Sequence, residues 1–410
     1  MQALAVVEGR FISPHSKSAE CTVHDNLQVS WDRKGVISKL STSTKTQESD
    51  LIWLPGFVDT HVHFPQHRVR ARSSGALLPW LEQTVFPEES KFRSRTYAAA
   101  VAQEFCAALL ANGTTCAQIF SSSDAGATDE LFAALDNVGL RAQAGLTLMD
   151  QGAPEALCVN PAEAEKAIRQ LVEKWHQADR DRLRFVITPR FALSCSTELL
   201  EVAGRLSHEL SLPVQTHLSE NNDEIKAVAA MFPQHKDYLS VYEHYNLAHE
   251  RTIFAHCIHL SDSEWTRLEQ QNCSISHCPD SNNFLGSGHF PWQRANEYNV
   301  RIGLGSDVGA GRTYAMRKIA ASSYDFALVT QERKTPNALL WHATRGGALA
   351  VNRPEIGCIE PGFDCDLIAL NVPHSRDMSE EELFDAILFR DDVRVHCAYV
   401  RGRKIFSAHK

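Results

Sequence analysis

Between residues 56 and 351 the sequence switches repeatedly between short apolar runs bounded by turn residues and longer stretches with a helical period. Strand-like runs cover 56–63, 115–120, 141–148, 183–188, 213–217, 252–256, 273–277 and 301–305. Helix-like stretches follow over 92–112, 129–138, 161–177, 197–208, from 222 onward, 262–271, near 292–297, and over 313–329 and 336–351. Gly113 stands at the end of the first of them, where a left-handed cap is needed. Eight strand–helix units in about 300 residues match a closed parallel barrel, (β/α)8, of the TIM-like kind. A doubly wound open sheet is the alternative that the same alternation allows.

The two ends of the chain have a different texture. Residues 1–54 read as short strands, near 4–7, 23–31 and 36–40, with polar clusters such as 41–44 between them. Residues 366–371 and 396–406 read alike, the latter as a hairpin turning at Gly402. This predicts a small β-sandwich unit built from both termini, 1–54 with 366–410, around a barrel of 55–365. The N-terminal ten residues lack a basic segment followed by a long apolar one, so they read as a first strand rather than a secretion signal.

Composition removes several function classes. A net charge of −9 argues against nucleic acid or an anionic membrane as the main partner. No apolar run approaches the length of a membrane span. The 11 cysteines are scattered without a Cys-x-x-Cys pair, which suits a reduced, cytoplasmic protein and offers no thiolate-rich zinc site. There is no phosphate-loop lysine in the glycine-rich stretch 305–313, no Gly-x-Ser-x-Gly elbow, and no His-x-Glu with Pro-Cys-x-x-Cys.

What remains sits at the strand ends. The first strand closes on Asp59-Thr60-His61-Val62-His63. Side chains alternate along a strand, so His61 and His63 project together, about 6–7 Å apart along the axis. A pair of histidines at i, i+2 also arises by chance, and only its context gives it meaning. The fifth strand ends at His217, the sixth at His256, the seventh at His277 and the eighth runs into Asp307. In a barrel these ends share one rim, where active groups gather. Imidazole nitrogens with a carboxylate oxygen suit zinc or ferrous iron.

This pattern resembles the amidohydrolase superfamily, and the likeness spans nearly the whole chain. Binuclear members carry a bridging lysine near the fourth strand; the segment from Arg184 to Phe191 has none, so one metal per chain is implied. The resemblance makes His61, His63, His217 and Asp307 its ligands, with Zn2+ as the ion and Fe2+ possible in its stead. Within the superfamily, five segments are similar to the guanine deaminases: 55–66, 79–89, 188–195, 216–221 and 277–282. That implies a small purine as partner, no nucleic acid or membrane, and a homodimer. The implied reaction is the hydrolysis of guanine to xanthine and ammonia.

In that reaction Glu220, His256 and Asp307 are the catalytic groups. Asp307 accepts the water's proton, Glu220 carries a proton to N3 and to the leaving amine, and His256 hydrogen-bonds the attacking oxygen. Gln66, Arg190, Phe191, His217, Glu220 and Asp307 contact substrate. Guanine presents O6 and N7 as adjacent acceptors, which suits the Arg190 fork; Gln66 offers both a donor and an acceptor. A surface arginine and a helix-start acid are the alternatives for Arg190 and Glu220. Phe191, Trp80 and Leu78 are candidates for the pocket wall or for core. Rival substrates are 8-oxoguanine, a pterin or a triazine. A non-catalytic scaffold would have lost ligands, and a dihydropyrimidinase-like amidase would need the bridging lysine.

Overall fold

The computed structural model of the chain describes residues 5–43, 49–73 and 75–408. Leu4 and Thr44, each within a stretch singled out above, lie outside the described residues. Eight parallel strands occur in the expected order: β1 Phe57–His63, β2 Thr114–Phe120, β3 Arg141–Gly145, β4 Leu183–Phe185, β5 Val214–Leu218, β6 Thr252–His256, β7 Ser274–His277 and β8 Arg301–Leu304. The ladders run β1-β2-β3-β4 and β5-β6-β7-β8. A parallel bridge, Ile187 to Val214, joins the two halves. Two backbone bonds close the ring, Asp307 N–H to the His61 carbonyl at 2.8 Å and His63 N–H to the Val308 carbonyl at 2.8 Å. The open-sheet alternative is thereby excluded.

Helices cover the outside, started by the side chains that the local sequence supplies. Asp124 accepts from the Ala127 N–H to open Ala125–Val138, and Gly139 closes it at φ 76°, where a residue with a Cβ would be strained. Ser261 and Glu264 cap each other's backbone ahead of Asp262–Gln270. Most of the helix–strand packing forms one large apolar cluster, with a smaller one around Val58, Cys116 and Ile253.

Both termini enter one seven-stranded sheet. Its order is Arg403–Ser407, Arg394–Val400, Leu367–Asn371, Leu51–Pro55, Ala5–Pro14, Cys21–Trp31 and Ile37–Thr42. The C-terminal strand Leu367–Asn371 pairs antiparallel with Leu51–Pro55, Ala369 opposite Trp53. The sheet curls over its own core of Phe11, Val29, Trp31, Trp53 and Leu367. Its far ends meet where the Gly402 turn packs on Trp31 and Gly35 on Arg401. Gly56 links this sheet to β1; a Cβ there would lie 1.9 Å from Thr115 Oγ1, so only glycine passes.

Three departures from the sequence reading have local causes. The third and fourth strands are each interrupted, continuing as the pair Thr147–Leu148 and Thr188–Pro189. At that break the Val186 carbonyl approaches Gly145 so closely that a Cβ would sit 1.9 Å from it. The stretch 336–351 is one helical path whose middle turn, His342–Gly346, is widened. A helix not foreseen, Glu380–Phe389, interrupts the C-terminal strands and packs on Met316–Val329. Its capping box, Ser379 with Glu382, was a signal present in the sequence.

Candidate active site

At the C-terminal rim of the barrel four ligand-type atoms converge. His61 Nε2 and His63 Nε2 are 3.1 Å apart, and His217 Nε2 is 3.3 Å from His63 Nε2. Asp307 Oδ1 lies 3.2 Å from both His61 Nε2 and His63 Nε2. The His61 and His63 side chains thus lean together at their tips. Phe120, from the end of β2, forms the floor, its ring centroid 4.8 Å from each of the three imidazoles.

These atoms fit a cation. Burial lowers the His61 pKa to about 4 and drives that of His217 well below its ordinary value, so both imidazoles are neutral and carry a lone pair. The His217 Nδ1–H donates to the Arg190 carbonyl at 2.6 Å, which turns the Nε2 lone pair into the cluster. Burial alone would raise the Asp307 carboxyl, but the imidazoles packed against it, the raised His256 among them, outweigh it and hold the group well below the usual carboxylate range. Lone pairs facing each other at 3.1–3.3 Å repel unless a positive charge sits between them. A tetrahedral ion with ligands at about 2.0–2.1 Å has edges of about 3.3–3.4 Å. Nearby, Cys278 forms a second trio with His61 and His256. Burial pushes that thiol well above its ordinary range, so it is no thiolate donor.

The strand ends are bent to aim these groups. Ser219, His256 and Asp307 have φ of 51°, 71° and 47°, left-handed conformations just after β5, at the last residue of β6 and after β8. Asp59, one turn of the strand pleat before His61, accepts from Ser306 N–H at 2.9 Å and from Ser306 Oγ–H at 2.5 Å. It thereby ties β1 to the residue preceding Asp307.

One flank carries acid–base groups. Glu220 is 3% exposed, and burial raises its carboxyl to about 7. Ser287 Oγ–H donates to Glu220 Oε1 at 3.1 Å. Glu224, fully buried, accepts from the Glu220 N–H at 2.9 Å and from the Tyr238 hydroxyl at 2.9 Å, anchoring the turn that presents Glu220. His256 Nδ1 is 2.8 Å from Asn282 Oδ1, while its buried Nε2 has no hydrogen-bond partner. That nitrogen points toward Glu220 Oε2 at 3.5 Å and Asp307 Oδ2 at 3.8 Å. Burial lowers the His256 pKa, but the two carboxylates outweigh it and the net shift is upward.

The opposite flank carries Gln66 and Arg190, 1% and 4% exposed. Between them stands Glu89, which accepts from Gln66 Nε2 at 3.1 Å and from Arg190 Nη1 at 2.6 Å. A pocket open to solvent separates the flanks. His63, Gln66, Arg190, Phe191, His217, Glu220, His256 and Asp307 all line it; His61 lies behind.

The residues given site roles in the sequence come to one place, and the remaining strand-end histidine does not. His277 turns away from the rim, its Nε2 3.2 Å from Ser323 Oγ and its ring stacked on Phe290. Trp80 and Phe191 line the pocket together with Leu77, while Leu78 takes its other reading and packs against the core. Glu89, Glu224 and Phe120 were missed. Glu224 had a local signal, as the N3 acid of the Asn221 capping box, and Glu89 closes the 79–89 segment noted above.

The amidohydrolase family model matches residues 52–405. The guanine deaminase of Escherichia coli K12 is 35% identical over 366 residues, covering 86% of this chain and 83% of that protein. A solved structure of an E. coli guanine deaminase superposes with a TM-score of 0.94 at 30% identity, covering 99% of this chain and 100% of that one. A probable guanine deaminase of Deinococcus radiodurans is 38% identical over 324 residues, 78% of this chain and 73% of the relative. The crystal structure of the C. acetobutylicum guanine deaminase, with guanine bound in its active site, superposes with a TM-score of 0.91 at 30% identity, covering 98% and 99%.

Proposed function

The chain belongs to the metal-dependent amidohydrolase family, and from that premise we propose that it hydrolyses guanine to xanthine and ammonia at the barrel mouth. The observation that carries this reading is the cavity itself. It opens onto the His61, His63, His217 and Asp307 cluster, with a proton-handling acid on one side and a purine-matching donor set on the other. The guanine-bound relative of the same fold supports it.

Those four residues would hold one Zn2+, with Fe2+ as the other candidate, and the ion would supply a water whose pKa is lowered from about 15.7 toward 7. The remaining work falls to this chain. Asp307, kept ionised, receives the hydrogen bond of the water and its proton in passing. Glu220, with a carboxyl near 7, is matched to take that proton and give it to guanine N3, and then to take the remaining proton from the hydroxyl on the tetrahedral C2 and pass it to the departing amine. The free Nε2 of His256 points where a donor would stabilise oxyanion charge during attack. Arg190 presents N–H groups to O6 and N7, Gln66 reads a mixed edge, and Phe191 with Trp80 closes apolar contact around the ring. Burial of all these groups excludes bulk water from the reaction.

Incubation with guanine is expected to release one ammonia per purine consumed, with about one zinc or iron per chain. Turnover of 8-oxoguanine, a pterin or a triazine without turnover of guanine would reassign the substrate. The reading includes a cytoplasmic homodimer, supported by the resemblance and by 11 unpaired cysteines. Light scattering at twice the 45.7 kDa chain mass tests the dimer. It also divides the chain into a barrel unit, 55–365, and a sheet unit, 1–54 with 366–410; the separate core around Trp53 supports that division. Among the described residues no helix is long and apolar enough to cross a membrane.

A further inference from the structure

Glu89 has no part in the chemistry above, yet it is 4% exposed and its carboxylate touches both recognition residues. Glu89 Oε1 takes an N–H from Gln66 at 3.1 Å, and Oε2 takes one from Arg190 at 2.6 Å. On its other side the Gln66 amide oxygen accepts the Gly309 N–H at 3.2 Å. A carboxylate only accepts and a backbone N–H only donates. The two neighbours therefore demand opposite ends of the amide, and a flipped Gln66 would lose both bonds and set oxygen against oxygen. Arg190 is held by the same carboxylate, with its guanidinium 5.5 Å above the Phe86 ring, so one edge of the fork is occupied and the rest is left for a ligand.

We infer that Glu89 is a positioning residue that sets the pocket's preference for a purine with oxygen rather than an amine at C6. Its mechanism is polarity. By fixing the Gln66 amide and aiming Arg190 as a pure donor, it makes that end of the cavity complementary to the O6 and N7 acceptors. An exocyclic amine at C6 would meet donors with donors, an arrangement that buried sites reject strongly. The inference rests on the proposed guanine reading.

The test uses the metal-loaded enzyme with guanine and with 2,6-diaminopurine, which keeps the reacting 2-amino group but carries an amine at C6. Glu89→Gln removes the charge and permits Gln66 to flip. The expected result is a rise in KM for guanine of roughly tenfold to a hundredfold, with kcat changed only a few-fold. The preference for guanine over 2,6-diaminopurine should fall by a similar factor, with metal content unchanged and Glu89→Asp recovering part of it. If Glu89→Gln does not fold, Glu89→Asp alone should raise KM while keeping kcat. Wild-type turnover of guanine with KM and preference unmoved in both variants would overturn the role of Glu89 alone. Equal loss on both purines would overturn it too, in favour of a purely structural role. Failure of the wild type on both purines would overturn the guanine reading together with this inference.

Discussion

The barrel carries a buried cluster of charged and polar groups at each end, and the two are built on opposite plans. At the N-terminal end Arg141, fully buried, donates Nε to Asp366 at 2.8 Å, Nη2 to Asp364 at 2.7 Å and Nη1 to Glu355 at 3.2 Å. Asp366 also accepts the Arg401 N–H at 2.8 Å. The cluster is complete within the protein and bolts the first residue of β3 to the terminal sheet. At the C-terminal end three imidazole nitrogens and a carboxylate oxygen face one another, and the His256 Nε2 is left without a partner. The first cluster satisfies its own charges, which makes it structural. The second lacks a positive charge and a hydrogen-bond acceptor, which are what an ion, a water and a substrate would bring.

The comparison breaks most sharply at Glu220. Glu220→Gln removes proton transfer while leaving the ligand cluster, so turnover should fall by roughly 10²–10⁴-fold with the metal retained. Parallel metal analysis and rate measurement check this, and a fully active variant would strip Glu220 of its role. At the other end Arg141→Met leaves Asp366 and Asp364 buried against an apolar side chain. Stability should drop by about 3–5 kcal/mol while the folded fraction keeps its metal and its rate per bound metal. Denaturant unfolding with activity per metal decides it; a loss of metal at unchanged stability would mean the two clusters are coupled.

The smallest effect sharpens the comparison from a third place, the packed wall behind β8. His342 Nδ1–H donates to the Ile302 carbonyl at 3.0 Å, and burial lowers its pKa to about 4. Its unfolded value is about 6.5. Between those values the unfolded chain binds a proton that the folded one refuses, so its stabilising contribution is present above 6.5 and is lost as pH falls toward 4. Asp59 and Glu220, both raised to about 7, act with the opposite sign, so the comparison must be differential. Relative to His342→Asn, the wild type should lose up to about 1.4 kcal/mol per pH unit across that window. Unfolding midpoints of both proteins at pH 7, 6 and 5 provide the measurement, and a constant gap would mean His342 titrates normally.

Much of the barrel was readable because it depends on local rules. Alternation along β1 brings His61 and His63 to one side, and a strand followed by a helix brings each C-terminal end to the same rim, where His217, His256 and Asp307 were found. His277 obeyed the same rule of position and failed it in direction. Its side chain packs among Phe290, Trp292 and Ser323, because whether a terminal residue turns in or out depends on the pleat of its neighbours. The helix Glu380–Phe389 was overlooked between two strands despite its capping box.

By itself the sequence determined the periodicities, the caps and the residue types at strand ends, since each depends on neighbours a few positions away. That was enough for the barrel and for the residues that surround its mouth. Tertiary structure alone decided how those residues meet. Glu89 reaches Arg190 across 101 positions, and Arg141 reaches Asp366 across 225. Ring closure also turns His256 and Asp307 inward through left-handed backbone. The physical reason is that a buried charge is set by everything packed around it. A sequence shows which groups are present, but only the closed barrel shows which are paired and which still lack a partner.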